Sequence, residues 1–167
     1  MRFQKLGIIC LFGKTGSGKT TLLNIIAGVL KQDEGEVVDL NNKSISYVFQ
    51  DDRLLPWLSA RKNITISSKV KNNEIETLLE YFEIKDSSDK KIIELSGGMK
   101  RKVDLIKAIA YDGDIFLLDE PFNGIDTQMK EKIFDLIKEK AQDKLIILIT
   151  HDYNDALKLS DKIIYTN

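Results

Sequence analysis

The sequence is poor in several residues whose scarcity narrows what it can be. Among 167 residues there is one cysteine, Cys10, one histidine, His151, and two prolines. A lone cysteine excludes an internal disulfide, so the fold must rest on its core, and a reducing compartment is the expectation. Two prolines are too few for a linker-rich or disordered chain. Neither sign of charge is in excess: 25 Lys and Arg against 26 Asp and Glu leave a formal net charge of -1. Nucleic-acid binders carry a basic excess, so none is expected as a partner. No apolar run approaches the ~20 residues of a membrane span. The run from Leu6 to Phe12, behind Arg2 and Lys5, has the outline of a signal peptide. It is short, lacks a small-residue cleavage site and leads into a polar glycine-rich loop, so it reads as a buried strand.

What is present is an ordinary globular composition, 43% hydrophobic and 31% charged, in a chain long enough for one domain with a real core. Strand-like segments at 7–12, 36–40, 44–49, 114–120, 144–150 and 162–166 alternate with helix-like segments at 18–30, 73–84, 97–112, 127–142 and 153–160. In 73–84, apolar Ile75, Leu78, Leu79 and Phe82 recur at the helical period. Continuous apolar strands separated by helices predict an α/β fold with a parallel sheet covered on both faces. Residues 51–95 break the alternation and read as a helical lobe beside the sheet.

The segment GKTGSGKT, 13–20, fits G-x-x-x-x-G-K-[ST] between a strand and a helix. Glycines let the backbone turn its N–H groups inward as an anion nest, and the helix N-terminus adds its positive dipole end. Gly13, Lys14, Thr15, Gly16, Ser17, Gly18, Lys19, Thr20 and Thr21 are therefore candidate phosphate-binding residues. Lys19 would reach the β- and γ-phosphates, the Thr20 hydroxyl would bind Mg²⁺, and Thr21 could hold an α-phosphate oxygen. The strand-like IFLLDEP, 115–121, ends in Asp119 and Glu120. Ligands gather at the carboxyl ends of parallel strands, so Asp119 is a candidate Mg²⁺ ligand and Glu120 a candidate base for an attacking water. LIILITHD, 145–152, repeats the design and ends in Thr150, His151 and Asp152. His151 would donate a hydrogen bond to a γ-phosphate. Gln50, after the strand YVF, could reach Mg²⁺ or the water.

A second turn, Ser96-Gly97-Gly98, opens the helix at 97–112. Alone it reads as a helix cap, since serine is a good N-cap residue. Together, GKTGSGKT, YVFQDD, LSGGMKRK, FLLDEPFNGID and LITHD resemble, in order, the motifs of ABC transporter ATP-binding subunits, across essentially the whole chain. DDRLLPWLSARKNI, 51–64, is similar to the segment after the glutamine loop in the nitrate, sulfonate and taurine importer group. The resemblance implies one ABC ATPase domain over 1–167 with a P-loop NTPase fold. Its mostly parallel, helix-flanked sheet forms a RecA-like core carrying a small helical subdomain over about 51–112, and its N-terminal antiparallel strands are largely missing.

The same resemblance implies that Ser96, Gly97 and Gly98 meet the ATP held by a second ATP-binding subunit, in a head-to-tail homodimer or pseudo-dimer. Asp126 becomes a loop aspartate at that interface. Gln50 becomes the sensor between nucleotide and transporter, and Lys19, Gln50, Glu120 and His151 the catalytic group. The implied activity is ATP hydrolysis, with Mg²⁺ held by Thr20, Gln50 and Asp119. It would power import of a small solute through transmembrane permease subunits, from a cytoplasmic, peripheral position on the inner face of the membrane.

The chain departs from the family pattern in three ways. Met99 stands where the signature usually has glutamine. Only twelve residues precede Gly13, so the early strands that carry an adenine-stacking aromatic are not expected; Phe3 and Tyr47 are aromatic but sit elsewhere. The chain ends soon after the His151 strand, which reads as a minimal or trimmed domain without an accessory regulatory domain. Rival readings are fewer. A GTPase would need N-K-x-D, which is absent, and a small-molecule kinase has no use for the second turn. A non-transport ABC ATPase of the DNA-repair type would need a long coiled coil that 51–95 cannot hold. An ABC-like domain with weak turnover remains an alternative. Leu54, Leu55 and Trp57 read either as local core or as a groove for a short helix of a membrane subunit.

Overall fold

The structure, a computed structural model, describes residues 6–38, 40 and 42–166; Phe3, one of the two aromatics weighed above, lies outside them. The described chain divides into two compact units. One comprises the described residues of Met1–Gln50, Asp114–Pro121 and Phe134–Asn167; the other is Asp51–Gly113 with Phe122–Ile133.

The first unit is built on five parallel strands: β1 (Gly7–Gly13), β2 (Ile45–Val48), β3 (Ile115–Asp119), β4 (Leu145–Ile149) and β5 (Lys162–Thr166). Their order across the sheet is β2-β3-β4-β1-β5, and all four pairings are parallel. Every residue of β3 is buried, which is why this strand reads as an unbroken apolar run rather than an alternating one. Successive side chains point to opposite faces. Leu11, Ile115, Leu117, Ile147 and Ile149 pack on one face against Leu23 and Ile26 of helix α1 (Lys19–Ile26). Helix α6 (Tyr153–Leu159) also packs against β1.

Two expectations change here. The helix expected over 18–30 ends at Ile26 because Gly28 takes a left-handed φ of 70°, the conformation that terminates helices. The strand expected over 36–40 is not formed by its described residues: Val37 and Val38 are exposed, and β2 is already the sheet's edge.

The second unit is helical: α2 (Ala60–Thr65), α3 (Asn72–Tyr81), α4 (Gly97–Tyr111) and the start of α5 (Thr127–Lys140). Helix α4 is its axis, with α2 and α3 packed on it. Ile64, Ile75, Leu79, Phe82, Val103, Leu105 and Ile106 fill the core. Asn63, fully buried, pins the preceding loop by accepting from Leu55 N at 2.7 Å and donating to Leu55 O at 3.1 Å. Leu54 and Leu55 are half-buried while Trp57 is exposed.

Candidate functional site

The loop between β1 and α1 turns on Gly16 and Gly18, with φ of 85° and 81°, values any side chain resists. Gly18 is the N-cap of α1, and no side chain caps the helix there. Gly18 brings no side-chain acceptor to the first turn of α1, an arrangement that suits anion binding. Lys14, Thr15 and Gly16 are exposed; Ser17, Lys19 and Thr20 are half-buried; Thr21 is exposed on the helix. The Lys19 ammonium donates to Gly13 O at 2.9 Å, Lys14 O at 2.8 Å and Ser17 Oγ at 3.2 Å. It is folded back over the loop it belongs to.

The sheet order brings the other candidates to the same edge. Asp119 ends β3 and pairs in register with Ile149, the last residue of β4, so Glu120 and His151 project from adjoining strand ends. β1, which leads into the loop, lies on the other side of β4, and Gln50 follows β2 beside β3. Asp119 is buried at 1% exposure. Glu120 N donates to Ile149 O at 3.0 Å, and Glu120 holds a left-handed φ of 49°. The His151 imidazole donates from Nδ1 to Glu120 Oε2 at 2.8 Å. The histidine side chain is 73% exposed, the glutamate 14%. Asp152 next to them caps α6, accepting from Asn154 N at 2.9 Å. Tyr47 donates to Asn24 Oδ1 at 3.0 Å and stacks on Phe49 at 3.8 Å. It is engaged with its own strand and with α1.

In the helical unit, Ser96 is the N-cap of α4, its Oγ accepting from Met99 N at 3.3 Å. The two glycines after it differ. A Cβ on Gly97 would meet nothing within 4 Å, whereas one on Gly98 would lie 2.5 Å from Gly124 O. Gly98 is therefore required by the close approach of the turn at 123–126, itself bent through Gly124 at φ 75°. Asp126 caps α5 by accepting from Met129 N at 2.9 Å, and that bond holds its pKa below the usual carboxylate range. Sequence reasoning missed Gly124, although the turn-forming N-G pair was the available signal. It also missed Asp104, a 2%-exposed acid on α4. Burial pushes the Asp104 pKa up to about 6 against the pull of Lys107 and Arg101, with Asp52 adding to the rise. Arg101 Nη1 lies 3.7 Å from its Oδ2.

Chemistry hung from the carboxyl edge of a parallel sheet, beside a glycine turn that opens a helix, is the layout of the P-loop nucleotide-binding proteins. Sequence comparison narrows the class. The profile of the ABC transporter family matches residues 1–123, and the chain belongs to that family.

Among its relatives is the taurine import ATP-binding protein TauB of Jannaschia sp. (strain CCS1), 36% identical over 173 residues, covering 94% of this chain and 64% of that protein. Another is the aliphatic sulfonates import ATP-binding protein SsuB 1 of Pseudomonas savastanoi pv. phaseolicola, 36% identical, with 98% of this chain and 70% of that protein covered. The chain thus spans less than two thirds of the TauB relative's length. Among solved structures, the dimeric structure of MJ0796, a bacterial ABC transporter cassette, superposes with a TM-score of 0.86 at 28% identity. It covers 99% of this chain and 83% of that one. A post-hydrolysis state of the same cassette bound to ADP and Pi gives 0.84 at 27% identity, covering 100% and 84%. Among the described residues no helix is long and apolar enough to cross a membrane.

Proposed function

We propose that the chain is the ATP-binding and ATP-hydrolysing part of an ABC importer, acting with a second ATP-binding subunit and with separate permease subunits. One observation carries the reading: the phosphate loop, Asp119, Glu120 and His151 stand on the adjoining strand ends β1, β4 and β3, with His151 bonded to Glu120 at 2.8 Å. The donor set suits Mg²⁺. Thr20 hydroxyl, Asp119 carboxylate and Gln50 amide are hard oxygen ligands, and Mg²⁺ is commonly held by one or two carboxylates together with substrate phosphates. When bound, Mg²⁺ would neutralise charge on the phosphate oxygens. The loop N–H groups and Lys19 would bind the triphosphate, Thr20, Gln50 and Asp119 would hold the cation, and Glu120 would accept a proton from the attacking water. His151 orients Glu120 from Nδ1; donating from its other ring nitrogen to a phosphate oxygen as well requires the doubly protonated ring.

In this reading the two compact units are the nucleotide-binding core and the helical subdomain. Ser96, Gly97 and Gly98 serve the nucleotide of the other subunit, head to tail, and Asp126 lies near that contact. Exposed Trp57 with half-buried Leu54 and Leu55 offers the permease an apolar foothold. The importer resemblance and the names of the relatives support taurine or sulfonate as the class of solute, with the protein peripheral on the inner membrane face.

The test is Mg²⁺-dependent ATPase activity of the wild type beside Glu120→Gln and Lys19→Ala. Glu120→Gln is expected to abolish turnover while ATP drives a dimer seen by sedimentation, and Lys19→Ala to lose nucleotide binding. Wild-type binding without turnover would favour the weak-turnover alternative. A Glu120→Gln protein that hydrolyses ATP at the wild-type rate would remove the glutamate from its role.

A further inference from the structure

Strand β5 forms the edge of the sheet beside β1, and its last residue, Thr166, pairs in register with Gly13, the first residue of the phosphate loop. The approach is close. A Cβ on Gly13 would fall 2.2 Å from Thr166 O and 2.3 Å from Thr166 Oγ1. The Thr166 hydroxyl then reaches over the root of the loop to Ser17, with 2.7 Å between Thr166 Oγ1 and Ser17 Oγ.

The hydroxyl pair at 2.7 Å can run in either direction. An ammonium only donates, and a hydroxyl has a single proton to give. Lys19 Nζ donates to Ser17 Oγ at 3.2 Å. When Ser17 gives its proton to Thr166 Oγ1, Thr166 can donate to Phe12 O at 3.5 Å. A chain of polar contacts therefore runs from the lysine through two hydroxyls to the carbonyl of half-buried Phe12, next to Gly13 in β1. Two of its members, Lys19 and Ser17, belong to the loop. Thr166 lies 149 residues away from Ser17 in sequence and belongs to no motif.

We propose that Thr166 is a positioning residue for nucleotide binding, fixing the Ser17 hydroxyl and, through it, the Lys19 ammonium. The inference rests on the reading of 13–20 as a triphosphate loop. Thr166 does not touch the phosphates; it selects the Ser17 rotamer. Removing its hydroxyl takes away the 2.7 Å partner of the Ser17 hydroxyl and frees the side chain to turn, so the loop must be ordered again when nucleotide arrives.

The experiment measures the Kd of Mg·ATP for the wild type, Thr166→Val, Thr166→Ser, Ser17→Ala and the double variant Ser17→Ala/Thr166→Val, with the melting temperature of each. Thr166→Val is expected to weaken binding about three- to tenfold, the reach of one net hydrogen bond. Thr166→Ser should stay within about twofold of wild type, and the double variant should bind no more weakly than Ser17→Ala alone. Should valine unfold the protein, Thr166→Ser against Thr166→Ala makes the same comparison, since those two differ by the hydroxyl alone. Losses that multiply in the double variant, or a serine no better than alanine or valine, would overturn the proposal. Wild type that binds Mg·ATP with Thr166→Val unchanged overturns this inference and leaves the function standing, whereas wild type that binds no nucleotide overturns both.

Discussion

Adjacent glycines 97 and 98 make a sharp internal comparison. Alanine at 98 places a Cβ 2.5 Å from Gly124 O, well inside the ~3.3 Å at which carbon and carbonyl oxygen begin to attract. The obstacle is backbone on both sides, so the turn at 123–126 or the start of α4 has to move by close to ~1 Å. Overpacking of that kind costs ~1–3 kcal/mol, against which helical alanine returns ~0.5–1 kcal/mol relative to glycine. The net is a loss of up to ~2.5 kcal/mol, or a fall in melting temperature of up to roughly 10 °C for a chain of this length. Alanine at 97 meets open space and should leave the melting temperature level or slightly higher. Under the proposed head-to-tail pairing its effect belongs in the ATPase assay, where a methyl on the exposed turn would obstruct the partner's phosphate. Thermal denaturation of both variants by circular dichroism, run beside turnover, separates the two roles. A Gly97→Ala protein that melts below Gly98→Ala would refute the packing argument.

Other outcomes follow from buried groups. The folded pKa of Asp104 is raised to about 6, so the stability linked to its proton is present below about pH 4 and lost as pH rises through about 6. Asp104→Asn should therefore gain stability relative to wild type as pH rises from about 4 to 8; a difference in melting temperature that does not change with pH would refute this. Burial pushes the Cys10 thiol up to about 11, and thiolate is the reactive form. A thiol-directed disulfide reagent at pH 8 should leave the native protein unlabelled and react once denaturant is added, and rapid native labelling would contradict the burial argument.

The sequence made the sheet legible because parallel strands buried on both faces leave apolar runs that need no alternation, as in β3 and β4. Those runs also located Asp119, Glu120 and His151 at strand ends, since each run stops where its polar residues begin. Short or unsupported elements were harder. Helix α2 has six residues, too few to show a period, and Val37 and Val38 looked like a strand only because valine suits strands wherever a neighbour exists. Contacts between distant residues left no local trace. The approach of Gly98 to Gly124, the bond from His151 to Glu120 and the reach of Thr166 to Ser17 all arise from chain crossings that pattern and propensity do not encode. Asp104 was hidden for another reason: an acid on a lysine-rich helix looks solvated until the packing of α4 is known.

The φ of 49° at Glu120 has a consequence for what evolution can do at this position. A left-handed backbone costs an ordinary side chain about 1–2 kcal/mol, and glycine avoids most of it. Selection for foldedness alone would drift position 120 toward glycine, or toward asparagine, which tolerates the same backbone. Glu120→Gly should accordingly melt no lower than wild type, and higher where the relief of strain exceeds the lost contact with His151. Under the proposed function, glutamate at that position is held against the preference of the backbone because the chemistry needs its carboxylate.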